Sequence, residues 1–143
     1  MAPRSARASF LLGVIAQEEG NQTEAVARYS QSLELDPNQP EAHLNLGLAL
    51  KETDRPGEAG DHYRRALEIW PDFPEAHTNL GSILQAEGRL KEAQRHYAWA
   101  LSQDSTTVEA LLGLGTLLCR INREGEGLEH AEPDGLEGVP GAR

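Results

Sequence analysis

Two consecutive stretches decide the fold. PEAHLNLGLALKETDRPGEAGDHYRRALEIWPDF runs from Pro40 to Phe73, and PEAHTNLGSILQAEGRLKEAQRHYAWALSQDSTT follows without a gap from Pro74 to Thr107. The Pro-Glu-Ala-His opening, the Asn-Leu-Gly triplet and the spaced Glu-Ala, His-Tyr and Ala-Leu pairs all return at a constant offset of 34 residues. A fixed period of this length marks an array of supersecondary units, each unable to bury its apolar face alone and stable only when stacked on a neighbour.

The same register extends both ways. Upstream, Ala6 to Gln39 forms a first unit, and downstream a fourth opens at Val108 and loses the pattern after Arg123. Each full unit reads as two amphipathic helices. In the second, Leu44, Leu46, Gly47 and Leu50 mark a first helix ending near Thr53-Asp54. Pro56 sits where a first-turn proline belongs, its missing N–H being an orphan there in any case. Ala59, Tyr63, Ala66, Leu67 and Ile69 follow at three- and four-residue steps. Trp70-Pro71 closes that helix, because the residue before a proline is pushed out of the α region. Gly20 and Gly88 hold the equivalent turn in units one and three, where a left-handed C-terminal residue is expected.

Gly13, Gly47, Gly81 and Gly115 share one register, and Ala25, Ala59 and Ala93 another. A glycine inside a helix costs about 1 kcal/mol relative to alanine, so its recurrence needs a cause. Close approach of two antiparallel helices supplies one, with Gly of the first expected to face Ala of the second. Tyr29, Tyr63 and Tyr97 are expected to fill the wider gap beside that contact.

These residues resemble the tetratricopeptide repeat, whose pattern is W-x2-L-G-x2-Y…A-x3-F…P on a 34-residue period. Leu-Gly stands at Leu12-Gly13, Leu46-Gly47, Leu80-Gly81 and Leu114-Gly115. The A-x3-F element stands at Ala25 and Tyr29, Ala59 and Tyr63, and Ala93 and Tyr97. Ser9, His43, His77 and Leu111 replace the tryptophan, and Ser105 replaces the closing proline of unit three. The resemblance implies an all-α, right-handed α-solenoid of three full repeats (6–39, 40–73, 74–107) plus the first helix of a fourth (108–123). Residues 1–5 are expected to be a flexible N-terminus.

The chain has 143 residues, a formal charge of −10 and few aromatics, so its core must come from Leu, Ala and Ile. Six acids between Glu124 and Arg143, with Gly and Pro between them, read as a disordered acidic tail over 124–143, so the last helix is expected to be Val108–Ile121. No basic stripe is present to release counterions from a nucleic acid. No apolar run is long enough to span a bilayer. The single Cys119 fits a reducing, cytoplasmic setting. MAPRSARAS followed by FLLGVIA has the outline of a secretory or transit signal. The register of Leu12-Gly13 instead makes it the first repeat helix.

Val108, Leu111, Leu112, Leu114, Leu117, Leu118 and Ile121 cover more circumference than one packing face requires, whereas terminal units of a solenoid normally carry a polar outer face. Either the array belongs to a longer one or another molecule covers the stripe. A homodimer through Leu111, Leu114, Leu118 and Ile121 is the self-associating version.

No catalytic constellation, cofactor motif or metal-ligand spacing is present in the sequence. His43 and His77 make no same-face pair of the HExxH kind and are expected to pack in the tryptophan slot. The resemblance implies that the first helices line a concave groove for an extended peptide. Glu41, Asn45, Leu48 and Glu52 share one stripe of that surface, as do Glu75, Asn79 and Ser82, with Ala86, in the next unit. Asn45 and Asn79 resemble the asparagine ladder of O-linked N-acetylglucosamine transferases. Their amides offer both donor and acceptor to a peptide main chain. That similarity implies an alternative, a substrate-recruiting array whose catalytic domain lies elsewhere, although Leu11 and Gly113 interrupt the ladder. Arrays that clamp a terminal carboxylate use Lys, Asn and Arg. Of that set only Asn45 is kept, with Phe10, Val14, Glu75 and Asn79 at the other clamp places. The acidic row Glu41, Glu75 and Glu109 therefore implies a neutral to basic protein or peptide partner, and a non-catalytic scaffold role.

Overall fold

The computed structural model describes residues 5–131. Among these residues the chain is all helical: α1 (Ala6–Glu18), α2 (Gln22–Leu35), α3 (Pro40–Glu52), α4 (Pro56–Ile69), α5 (Pro74–Ala86), α6 (Leu90–Gln103) and α7 (Val108–Ala131). α1 packs on α2, α3 on α4 and α5 on α6, and each second helix also packs on the first helix that follows it. The result is a solenoid of helix-turn-helix units.

Local chemistry sets the element ends. The Ser5 hydroxyl caps α1 by accepting from the Ala8 N–H at 3.2 Å, and the Asn21 side chain caps α2 by accepting from Glu24 N–H at 3.1 Å. Proline occupies the first turn of α3, α4 and α5. The turns inside the three full units end the first helix in the same way. Gly20, Asp54 and Gly88 adopt φ of 80°, 62° and 82°. The N–H of the next residue then reaches back to the carbonyl of Ala16, Leu50 or Leu84 at 2.8, 2.8 and 2.9 Å. This left-handed closure suits glycine. Asp54 is the one non-glycine residue to adopt it among the described residues.

The contact between paired helices differs from the sequence expectation. The atoms nearest the first-helix glycine belong to the tyrosine ring of the second helix, which closes on it directly instead of filling a gap beside it. A Cβ built on Gly13 would lie 2.7 Å from Tyr29 Cδ1, on Gly47 2.5 Å from Tyr63 Cε1, and on Gly81 2.9 Å from Tyr97 Cε1. An aromatic ring covers a whole helical turn, so removal of one methyl lets it lie flat on the opposing backbone. Ala25, Ala59 and Ala93 are fully buried along the same second helices, and Tyr29, Tyr63 and Tyr97 are at most 2 % exposed. Tyr97 also closes on Gly113 of α7, where a Cβ would stand 2.5 Å from Tyr97 Cζ. One ring thus bridges two units.

The buried hydroxyls are not treated alike. Tyr29 donates to Gln17 Oε1 at 2.6 Å and Tyr97 to Gln85 Oε1 at 2.8 Å. Lys51 holds the equivalent place in unit two, and its ammonium approaches the Ser82 hydroxyl at 3.5 Å instead. The Tyr63 hydroxyl is buried without a hydrogen-bond partner among the described residues.

α7 runs to Ala131, ten residues beyond the expected end at Ile121. Gly125 and Gly127 weaken a helix without stopping it, and the first proline after Val108 is Pro133. Residues 124–131 of the expected acidic tail are therefore helical, while 132–143, like 1–4, lie outside the described residues.

Two substitution pairs test this packing by urea unfolding. Gly47→Ala should destabilise the chain by about 1–3 kcal/mol through overpacking against Tyr63. Gly115→Ala, with nothing within 4 Å of the added methyl, should stabilise it by up to about 1 kcal/mol. Tyr97→Phe should cost about 1 kcal/mol by removing a hydrogen bond, whereas Tyr63→Phe should be neutral or stabilising, because its hydroxyl has no bond to lose.

Candidate interaction surface

The repeat geometry sorts the first helices by face. Ala42, Leu46 and Ala49 on α3, and Ala76, Leu80 and Ile83 on α5, are buried. Glycine and the histidine three residues after the helix-opening proline turn to the unit's own second helix. The residues left between these two faces form the outer stripe. On α3 it carries Glu41 and Glu52, both exposed, with Asn45 and Leu48 half-buried. On α5 it carries exposed Glu75 and Ala86 with half-buried Asn79 and Ser82. Two contacts tie neighbouring first helices across this side. Lys51 of α3 reaches Ser82 of α5, and the Arg120 guanidinium of α7 donates to the Gln85 carbonyl at 3.5 Å. Neither contact was visible as a site in the sequence, because each depends on which turns of separate helices come level.

The stripe residues differ in how free they are. Glu41, Glu75 and Glu109 are all exposed, one per first helix at the same register. Asn45 lies against the Tyr29 hydroxyl of the preceding unit, where its amide opposes the upward pull of burial on the phenol's pKa. The Asn79 amide donates to the Glu75 carbonyl of its own helix at 2.8 Å, and the Ser82 hydroxyl donates to the Asn79 carbonyl at 2.9 Å. Both asparagines thus serve the fold with part of their hydrogen-bonding capacity. Each amide retains unused lone pairs or protons facing the stripe.

The residues expected to mediate self-association divide between two faces. Leu111 and Leu118 are 49 % and 45 % exposed, whereas Leu114 and Ile121 are half-buried and pack against the core.

The histidines do occupy the tryptophan slot, as a device the sequence reading missed. His43 Nδ1 meets His62 Nδ1 at 3.0 Å, and His77 Nδ1 meets His96 Nδ1 at 2.9 Å. His43 Nε2 lies 3.0 Å from the Pro37 carbonyl and His77 Nε2 lies 2.8 Å from the Pro71 carbonyl. A carbonyl can only accept, so both Nε2 atoms carry the proton and both partners, His62 and His96, donate from Nδ1. The rings lie edge to edge, with planes 25° and 31° apart. The Trp99 indole stacks on His77 with centroids 4.1 Å apart. The spacing of 19 residues between members, repeated in the next unit, was the available signal.

The accepting rings, His43 and His77, must be neutral for their Nδ1 atoms to receive these bonds. Burial pushes all four below the ordinary histidine value, and His96 goes down to about 4, with His77 the next cause. No group of three or more His, Cys, Asp or Glu side chains is placed to hold a metal ion among the described residues. Among the same residues, no helix is long and apolar enough to cross a membrane.

The stacked helix-turn-helix units define a helical-repeat module. Two family models match, one described as TPR repeat over residues 17–54 and one as tetratricopeptide repeat over residues 38–105. The chain belongs to the tetratricopeptide repeat family. No curated protein matches it. Among solved structures it is similar to the first TPR of Spaghetti (RPAP3) bound to the HSP90 peptide SRMEEVD, at 20% identity and a TM-score of 0.79, covering 85% of this chain and 97% of that one. The Arabidopsis OM64 TPR domain gives 19% identity and a TM-score of 0.78 over 81% and 96% of the two chains. The Sgt2 TPR domain from Aspergillus fumigatus gives 21% and 0.78 over 90% and 84%. At these identities the likeness shows the fold.

The histidine pairs make stability pH-dependent. A histidine whose folded value lies below its unfolded value near 6.5 binds its proton first in the unfolded chain. The stabilisation is therefore complete above about pH 6.5 and is lost as pH falls through the folded values, down to about 4 for His96. Asp61, Glu58 and Glu68 oppose this around the first pair, and Asp72 and Glu92 around the second. Arg65 reinforces it at the first pair, and Arg64 and Arg95 at the second. Urea unfolding between pH 7.5 and 5 should show the decline, and a His77→Gln/His96→Gln variant should show a shallower one.

Proposed function

We propose that the protein is a non-catalytic binding module that holds an extended, neutral to basic peptide segment along the first-helix stripe. The observation that carries this reading is the exposed row Glu41, Glu75 and Glu109, repeated at the period of the array with no cation beside it at the same register of α3, α5 and α7. Packed helices stand 8–10 Å apart, which an extended chain spans in about three residues at 3.3–3.6 Å each. In the polyproline II form of extended chain, three residues per turn at a rise of about 3.1 Å return every third side chain to one face. Basic side chains at that interval would each meet a carboxylate, while Asn45 and Asn79 bond to the main chain between them. Leu11 and the half-buried Val14 and Leu48 add an apolar patch at the α1–α3 end of the stripe.

Charge separates this surface from that of its structural neighbour. The Spaghetti domain is bound to a peptide ending Glu-Glu-Val-Asp. Here Glu75 and Asn79 stand where a clamp for such a terminus needs cations, and Phe10 and Val14 occupy the remaining clamp places. An acidic tail would therefore meet repulsion in place of a clamp, so the partner differs in charge from that peptide.

Fluorescence anisotropy with defined peptides tests the proposal. SRMEEVD should show no saturable binding below about 1 mM, a limit worth roughly −4 kcal/mol. Extended peptides with a Lys or Arg every third residue should bind, and more weakly at high salt. Glu41→Lys/Glu75→Lys should reduce that binding at least about tenfold, or 1.4 kcal/mol, as should Asn45→Ala/Asn79→Ala. Equal affinity for acidic and basic peptides would sink the charge reading, and unchanged affinity in the asparagine double variant would remove the ladder from it.

A further inference from the structure

α7 presents a vacant copy of an interface that the chain builds three times. In each full unit, the first-helix glycine is roofed by the tyrosine of the second helix at 2.7, 2.5 or 2.9 Å from a built Cβ. Gly115 stands at the same register of α7 and has nothing within 4 Å. Its flanks match. Leu111 corresponds to His43 and His77, and Leu118 to Leu50 and Leu84, which are 2 % and 1 % exposed where a second helix covers them. Leu111 and Leu118 are 49 % and 45 % exposed. The opposite side of α7 is already satisfied, with Ala110 and Leu117 fully buried and Tyr97 closed on Gly113.

The three filled copies specify the occupant. It is an antiparallel amphipathic helix with an alanine and, four residues later, an aromatic ring, as in Ala25 and Tyr29, Ala59 and Tyr63, or Ala93 and Tyr97. α7 does not lead into such a helix where the other units do. α1, α3 and α5 turn after 13 residues, and α7 continues for 24. At 1.5 Å per residue, the chain leaves α7 about 16 Å beyond the place of the turn. A second copy is a poor match, because α7 contains no aromatic residue and the tyrosines of α2, α4 and α6 are already buried. We propose that the Leu111–Gly115–Leu118 face of α7 is a docking site for a helix of another protein bearing an Ala-x3-Tyr or Ala-x3-Phe motif, which completes the fourth unit in trans.

The full chain and a labelled peptide of the α4 sequence, PGEAGDHYRRALEI, provide the test by fluorescence anisotropy. Saturable binding below about 1 mM is expected, with at least a tenfold loss when the peptide tyrosine becomes alanine. Gly115→Ala places a methyl where the ring must lie and should also lose at least tenfold in affinity, while its thermal midpoint stays equal or rises. Leu111→Gln, on the exposed flank, provides an independent second variant and should weaken binding as well. The proposal is overturned if the peptide fails to saturate by 1 mM, or if it binds Gly115→Ala as it binds the unsubstituted chain. Sedimentation of the chain alone should give a monomer. A dimer that Gly115→Ala dissociates would overturn the proposal in favour of a second copy as the occupant.

Discussion

The contact on which the structure depends is a tyrosine ring lying on a glycine. Two helices at ordinary spacing cannot place a whole aromatic ring between their backbones unless one of them gives up a side chain at that point. Gly13, Gly47 and Gly81 do so, and Tyr29, Tyr63 and Tyr97 fill the space to at most 2 % exposure. A buried aromatic brings a large apolar area to a core otherwise made of Ala, Leu and Ile. The helix-weakening cost of glycine, about 1 kcal/mol, is small beside that burial. The arrangement also explains why the period is strict. A shift of one residue would turn the glycine away and drive a Cβ into the ring.

Polar groups around this contact vary from unit to unit, and that variation is where the repeats become individual. Gln17 and Gln85 accept the tyrosine hydroxyl, and Lys51 abandons that task to reach across to Ser82. Histidine pairs replace the tryptophan in units two and three. Each imidazole has its tautomer set by a proline carbonyl or by its partner ring. Small units joined edge to edge have few places for buried polarity. Here much of it gathers between the two helices of a unit, and Asn45 and Asn79 of the outer stripe carry a share of the rest.

The outer stripe follows from the same constraint. Helix faces given to the glycine–tyrosine contact and to the preceding unit leave one strip of each first helix over. The repeat period brings equivalent residues of α3, α5 and α7 level along it. Three exposed glutamates, Glu41, Glu75 and Glu109, stand at one register of these helices. The two asparagines between them are shared between the fold and that surface. Binding, on this reading, is a by-product of stacking: the array that buries its core lays out a repeating set of contacts for an extended chain.

The period, the ends of α1 to α6 and the family were legible in the sequence, because each rests on local or strictly periodic chemistry. Leu-Gly, Ala-x3-Tyr, first-turn prolines and left-handed turn glycines mark α1 to α6 without reference to anything distant in the chain. Tertiary structure decided what lies opposite what. It brought the tyrosine ring directly onto the glycine, paired His43 with His62 and His77 with His96, and set Asn45 against Tyr29. It also divided the leucines of α7 into a packed side and an open one. Those facts depend on the relative rotation of helices that the linear pattern leaves free, and only the packed core fixes it. The length of α7 was the remaining surprise, since glycines taken as an end are tolerated where no proline stops the helix. Composition and period thus determined the architecture, and three-dimensional packing determined which side chains remain available to a partner.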